Sequence, residues 1–69
     1  MKQRIKELRA SCGWTQEQLS EKLGVSRQTI ISIENGRYNP SLELAYKIAK
    51  SFQLSIEEVF IFEEGSDES

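Results

Sequence analysis

Between Thr15 and Glu34 the chain runs TQEQLSEKLGVSRQTIISIE. Ile30 and Ile33 are three residues apart, so on a helix they share one face. Arg27, Gln28, Ile31 and Ser32 then occupy the opposite face, with Asn35 beyond them. These residue types carry hydrogen-bonding chemistry rather than bond-making chemistry. An arginine guanidinium can bond O6 and N7 of guanine together, and a glutamine amide can do the same with N6 and N7 of adenine. The short Ser32 hydroxyl suits either kind of base edge, and Ile31 is of a type that meets a thymine methyl. An ordinary solvated helix face also carries Arg, Gln and Ser, so this face alone leaves base readout and plain solvation both open.

The neighbouring elements must position that face. Thr15 with Gln18 three residues on is a capping-box pattern that starts a helix through Leu23, with Leu19 and Leu23 as its buried stripe. Trp14, just before the cap, is spaced from Leu19 as a hydrophobic staple. Gly24 ends this helix in a left-handed conformation, Val25 plugs the turn, and Ser26 caps the next helix, which closes at Asn35-Gly36. The positive end of the first of these two helices, at Thr15 and Gln16, suits a phosphate contact. The loop that follows the second supplies Asn35, Gly36, Arg37, Tyr38 and Asn39, all neutral or cationic donors, before Pro40 fixes its exit. Two phosphate-gripping elements thus flank a base-facing helix, a coherent interface with a DNA duplex.

The remaining segments build the support. Lys2 to Cys12 reads as a first helix with Ile5, Leu8 and Cys12 on one stripe, stopped by Gly13. Ser41 caps a fourth helix with Glu43 in its first turn, and Leu44, Ala45, Ile48, Ala49 and Phe52 face inward. Ser55 and Glu58 form a second capping box that opens a short fifth helix through Ile56, Val59 and Phe60. No repeat or internal boundary is visible. Residues 1–62 read as one domain, and residues 63–69 as an acidic, disordered tail.

Composition removes several function classes. The chain has 69 residues, one cysteine (Cys12) and no histidine, so neither an internal disulfide nor a zinc site is expected, and no metal or cofactor is expected at all. Cys12 reads as a small apolar residue at the end of the first helix. Without histidine or a Gly-rich phosphate loop, and with carboxylates mostly on solvated faces, catalysis is not expected. No apolar run approaches the roughly 20 residues of a membrane span. The start, MKQRIKEL, lacks the apolar stretch of a signal peptide, so a cytoplasmic protein with no membrane contact is expected. The net charge of −2 hides an asymmetry: residues 1–40 carry seven basic and four acidic side chains, residues 41–69 two basic and seven acidic. The basic end coincides with the base-facing helix, and the acidic end is expected to face away from DNA.

Across about residues 2–61 the sequence resembles the Cro/repressor-type, or Xre-like, helix-turn-helix family. The resemblance rests on Thr15-Gln16, Leu19, Leu23-Gly24-Val25-Ser26, Gln28-Thr29-Ile30, Ile33-Glu34-Asn35-Gly36, Asn39-Pro40-Ser41 and Leu44 through Ala49. It implies an all-α, five-helix bundle in which the helices Thr15–Leu23 and Ser26–Glu34 form the DNA-binding unit. It also implies that Gln28 and Ser32 face bases, that Arg27 faces bases or backbone, and that Gln16, Asn35, Arg37 and Asn39 contact phosphates. In such relatives a glutamate at the position of Glu34 pairs with an arginine of the first helix, here Arg9, so Glu34 is expected to be structural. Two positions depart from the family pattern. Ser20 replaces a usual alanine at the close approach of the two helices. Ile31 replaces a usual polar residue, either to read a methyl group or as a tolerated exposed apolar side chain.

The segment Val59-Phe60-Ile61-Phe62 is strongly apolar, and Ile61 and Phe62 have no evident place inside a domain this small. Minimal members of the family look similar and pair through this helix or a short C-terminal strand. A homodimer through Phe52, Phe60, Ile61 and Phe62 is therefore expected, with its two reading helices about 34 Å apart on a pseudo-palindromic site. The alternative is that Ile61 and Phe62 fold back over the fourth helix. The function expected is that of a sequence-specific transcriptional regulator, a repressor acting by promoter occlusion. No ligand pocket is legible, so control by a protein partner or by concentration is expected. The competing expectation is a protein-interaction module such as the antitoxin of a toxin–antitoxin pair.

Overall fold

The computed structural model describes residues 2–61. In chain order the elements are β1 (Lys2–Gln3), α1 (Ile5–Cys12), α2 (Gln16–Leu23), α3 (Arg27–Glu34), α4 (Leu42–Ser51), α5 (Ile56–Val59) and β2 (Phe60–Ile61). Side chains just outside the helices set where they begin. Thr15 Oγ1 accepts from the Gln18 backbone N–H at 3.0 Å, while the Thr15 N–H donates to Gln18 Oε1 at 2.8 Å, which closes the capping box of α2. Ser26 and Ser41 accept from Thr29 and Leu44 in the same way, each at 3.2 Å. At α5 the Ser55 N–H donates to Glu58 Oε1 at 2.8 Å. Each bond satisfies a backbone group that the first turn of a helix otherwise leaves unpaired.

The chain start differs from the sequence expectation. Lys2 and Gln3 are not helical: they pair antiparallel with β2, Lys2 opposite Ile61 and Gln3 opposite Phe60. The Gln3 side chain then caps α1, its Oε1 accepting from the Ile5 N–H at 2.9 Å, so the helix starts at Ile5. Cys12, expected on the buried stripe, is exposed.

The core is built from every helix. Ile5, Leu19, Ile30, Ile33, Ile48, Val59 and Phe60 are fully buried, and Leu23, Ala45 and Ala49 complete the set. Leu8, Trp14, Val25, Leu44, Phe52, Leu54 and Ile56 pack around them. Ser20 is buried at the approach of α2 and α3, and its hydroxyl donates to the Glu17 carbonyl at 2.7 Å. A polar atom is thereby accommodated where alanine is usual, with no unsatisfied donor.

Of the residues expected in a dimer contact, Phe60 is enclosed by this packing and Phe52 takes part in it. Phe60 is 1% exposed, because in β2 successive side chains alternate and Phe60 takes the inward position while Ile61 points out. Phe52 stacks on Trp14 with ring centroids 5.3 Å apart, and the Lys22 ammonium lies 4.6 Å from the Trp14 ring centroid on α2. Phe62 and the acidic tail fall outside the described residues. Among the described residues, no helix is long and apolar enough to cross a membrane.

Candidate nucleic-acid interface

Two turns fix the pose of α3. Gly24 closes α2 at φ +73°, a left-handed conformation that costs other residues steric energy, and the Val25 N–H donates back to the Ser20 carbonyl at 3.1 Å. At the other end Gly36 adopts φ +76°, its N–H donating to the Ile33 carbonyl at 3.0 Å and that of Arg37 to the Ser32 carbonyl at 2.9 Å. The chain after α3 is thus folded back along the helix it leaves.

A buried polar knot then ties α3 to both preceding helices. The Glu34 side chain is 4% exposed. Its Oε2 accepts from Arg9 Nε at 2.9 Å, and its Oε1 accepts from Arg9 Nη2 at 3.3 Å and from Gln16 Nε2 at 3.1 Å. Arg9 Nη1 also donates to the Trp14 carbonyl at 3.0 Å. Glu34 is the sole acid of α3, and its burial leaves the outward face of that helix without a carboxylate. A duplex approaching there meets no fixed negative charge from α3.

Gln16, expected on a phosphate, also makes a contact within the domain. Its amide turns inward to a carboxylate that retains acceptor capacity after Arg9 is bonded, and the side chain is half-buried. Thr15, its neighbour, is exposed, with its hydroxyl engaged in the cap. Arg9, Thr15, Gln16 and Arg27 share one open depression at the start of α2 with Gly13, Trp14 and Glu17.

On α3 itself Arg27 and Gln28 are exposed, while Ile31 and Ser32 are half-buried on the same outward side. The turn beyond exposes Asn35, Gly36, Arg37, Tyr38 and Asn39. A second depression is lined by Ser26, Gln28, Thr29, Ser32 and Tyr38, which brings Tyr38 beside the base-facing residues rather than apart from them. Sequence reasoning missed Gln3. Its Nε2 donates to the carbonyls of Ile33 and Glu34, each at 3.2 Å, and so satisfies the open end of α3 from β1. A contact across 30 residues between a two-residue strand and a helix end leaves no local signature.

A family described as helix-turn-helix matches residues 5–59. An uncharacterised helix-turn-helix-type transcriptional regulator of Methanocaldococcus jannaschii is 59% identical over 64 residues, covering 93% of this chain and 97% of its own. The solved structure of SinR, described as the master regulator for biofilm formation in complex with DNA, superimposes with a TM-score of 0.72 at 33% identity, covering 78% of this chain and 87% of that one. Antitoxin HipB of Escherichia coli strain CFT073 is 40% identical over 52 residues, 75% of this chain and 55% of its own length.

Proposed function

The chain belongs to the helix-turn-helix family of transcriptional regulators, and on that basis we propose that it binds a specific site on double-stranded DNA in the cytoplasm and represses transcription by occluding a promoter. The outward face of α3 carries this reading. Arg27 and Gln28 stand exposed on it, Ile31 and Ser32 sit beside them, and the helix is locked from behind by the buried Glu34 with Arg9 and Gln16. A rigid helix with free donors and no exposed acid suits the major groove, where Arg and Gln pair bidentately with guanine and adenine. Thr15, Asn35, Arg37 and Asn39 flank it as phosphate contacts that set its register.

Two copies present two such helices to a pseudo-palindromic site, and the exposed Ile61 at the end of β2 is an apolar residue available for pairing them. Selection of bound sequences from a random duplex pool tests the proposal. A symmetric enriched site, protected by the protein within a promoter, is the expected result, and a pool that stays random rejects sequence-specific binding. Gln28→Ala should relax selectivity at one base position, at a cost of about 1–3 kcal/mol against the preferred base. Arg37→Ala should weaken specific and random DNA alike and lower the salt slope by about one. Equal losses on both DNAs for Gln28→Ala reject its reading role.

The likeness to an antitoxin favours a second reading, in which the same DNA-binding domain also captures a protein partner. Co-expression with the products of adjacent genes tests it: relief of a growth arrest by this chain supports the antitoxin role, and no relief by any of them rejects it.

A further inference from the structure

Tyr38 follows Arg37 and precedes Asn39, and the sequence puts all three on phosphates, yet its surroundings differ from theirs. It lines the depression formed with Ser26, Gln28, Thr29 and Ser32, which Arg37 and Asn39 do not line. The backbone explains the placement. With Gly36 left-handed and the Gly36 and Arg37 N–H groups donating into the last turn of α3, the chain doubles back, and Tyr38 comes to lie alongside the outward face of that helix.

Within this depression the Ser26 and Thr29 hydroxyls bond each other at 2.9 Å. The side chains of Gln28, Ser32 and Tyr38 make no hydrogen bond with the other described residues. Tyr38 is 47% exposed, so the depression has one apolar, rigid wall and two free polar side chains. That combination matches a base step containing an A·T pair. The major-groove edge of adenine offers N6 and N7 to a glutamine, and thymine adds a C5 methyl that favours an apolar partner. A phosphate oxygen, by contrast, gains nothing from a ring wall and prefers a cation or an N–H.

We propose that Tyr38 is a specificity-determining residue: its ring packs on the methyl group of a thymine at the base step that Gln28 and Ser32 address. The inference rests on α3 reading DNA as proposed above. The ring brings large contact area with few torsions to freeze, so its ordering on binding costs little.

The test uses the duplex selected by the wild-type chain and copies of it in which each thymine in turn is replaced by deoxyuridine, which lacks only the methyl. The wild type should lose about fourfold in affinity at one position of the half-site, the effect of one methyl-sized group leaving an apolar contact. Y38A should bind the thymine and uracil versions of that position equally, and Y38F should behave as the wild type. Unchanged melting temperatures establish that both variants fold. A penalty for uracil that persists in Y38A overturns the proposal. So does an equal loss in Y38F and Y38A, which assigns the residue to a phosphate through its hydroxyl. A wild-type chain that selects no sequence overturns this inference together with the α3 reading, whereas the other two results leave that reading intact.

Discussion

Glu34 is the residue on which α1, α2 and α3 converge. Its carboxylate is almost fully enclosed, and its two oxygens take three donors from Arg9 and Gln16. A buried pair of this kind need not stabilise more than a well-packed apolar pair, but removing one partner is costly, because the other stays behind desolvated. Arg9 is 14% exposed and keeps one bond to the Trp14 carbonyl, so its guanidinium is left only partly satisfied. Glu34→Ala should therefore lose about 3 kcal/mol of stability. For a chain this short each kcal/mol lowers the midpoint by about 4–8 °C, and thermal unfolding followed by circular dichroism reads the change. A midpoint within a degree or two of the wild type removes the structural role from Glu34. The same bonds give the mutation a functional consequence, since the pose of α3 against α2 depends on them.

At the scale of elements, the helix ends separate what is local from what is not. Gly13, Gly24 and Gly36 provide the left-handed residues after α1, α2 and α3. After α4 that conformation falls to Gln53, with φ +60°, while the Leu54 N–H donates to the Ala49 carbonyl at 2.9 Å. A side chain with a Cβ is strained there by about 1–2 kcal/mol, partly offset by the larger unfolded-state entropy of glycine. Gln53→Gly should therefore raise stability by about 0.5–1 kcal/mol, visible as a higher urea midpoint at constant slope. A lower midpoint shows that Gln53 makes contacts worth more than its strain.

Signals carried within three or four residues were legible in the chain: the Thr15–Gln18 and Ser55–Glu58 boxes, the Ser26 and Ser41 caps and the stop at Gly24 all lie where spacing puts them. The pairing of β1 with β2 was not, because two residues carry no alternating pattern and the partner lies at the far end of the chain. The interior contacts of Gln16, Phe52 and Phe60 were not legible for a related reason. Each residue type fits both an exterior contact and an interior one, and only the tertiary neighbours decide: Glu34 for Gln16, Trp14 for Phe52 and the inward side of β2 for Phe60.

For the whole molecule, the question is how a chain of net charge −2 holds a polyanion. One domain offers few cations near α3, with Arg27 and Arg37 the exposed ones on that helix and its following turn. Few phosphate contacts mean a shallow salt dependence and modest affinity for a single copy. A dimer doubles the salt slope and raises the affinity by about 10²–10⁴-fold, because the second half-site binds as an intramolecular event at high effective concentration. Ile61 is 42% exposed on the outward side of β2, whereas Phe60 behind it is committed to the core. A charge at Ile61 should thus oppose association while sparing the fold. Ile61→Asp is expected to sediment as a monomer at micromolar concentration, where the wild type sediments as a dimer, with the two melting alike once dilution has separated the wild-type copies. On the selected duplex the variant should retain its preference within one half-site, bind more weakly, and show about half the wild-type slope of log affinity against log salt, since it neutralises half as many phosphates. A wild-type chain that stays monomeric at these concentrations and still protects both half-sites equally rejects the dimer. A variant that keeps the full slope shows that the copies pair through some other face.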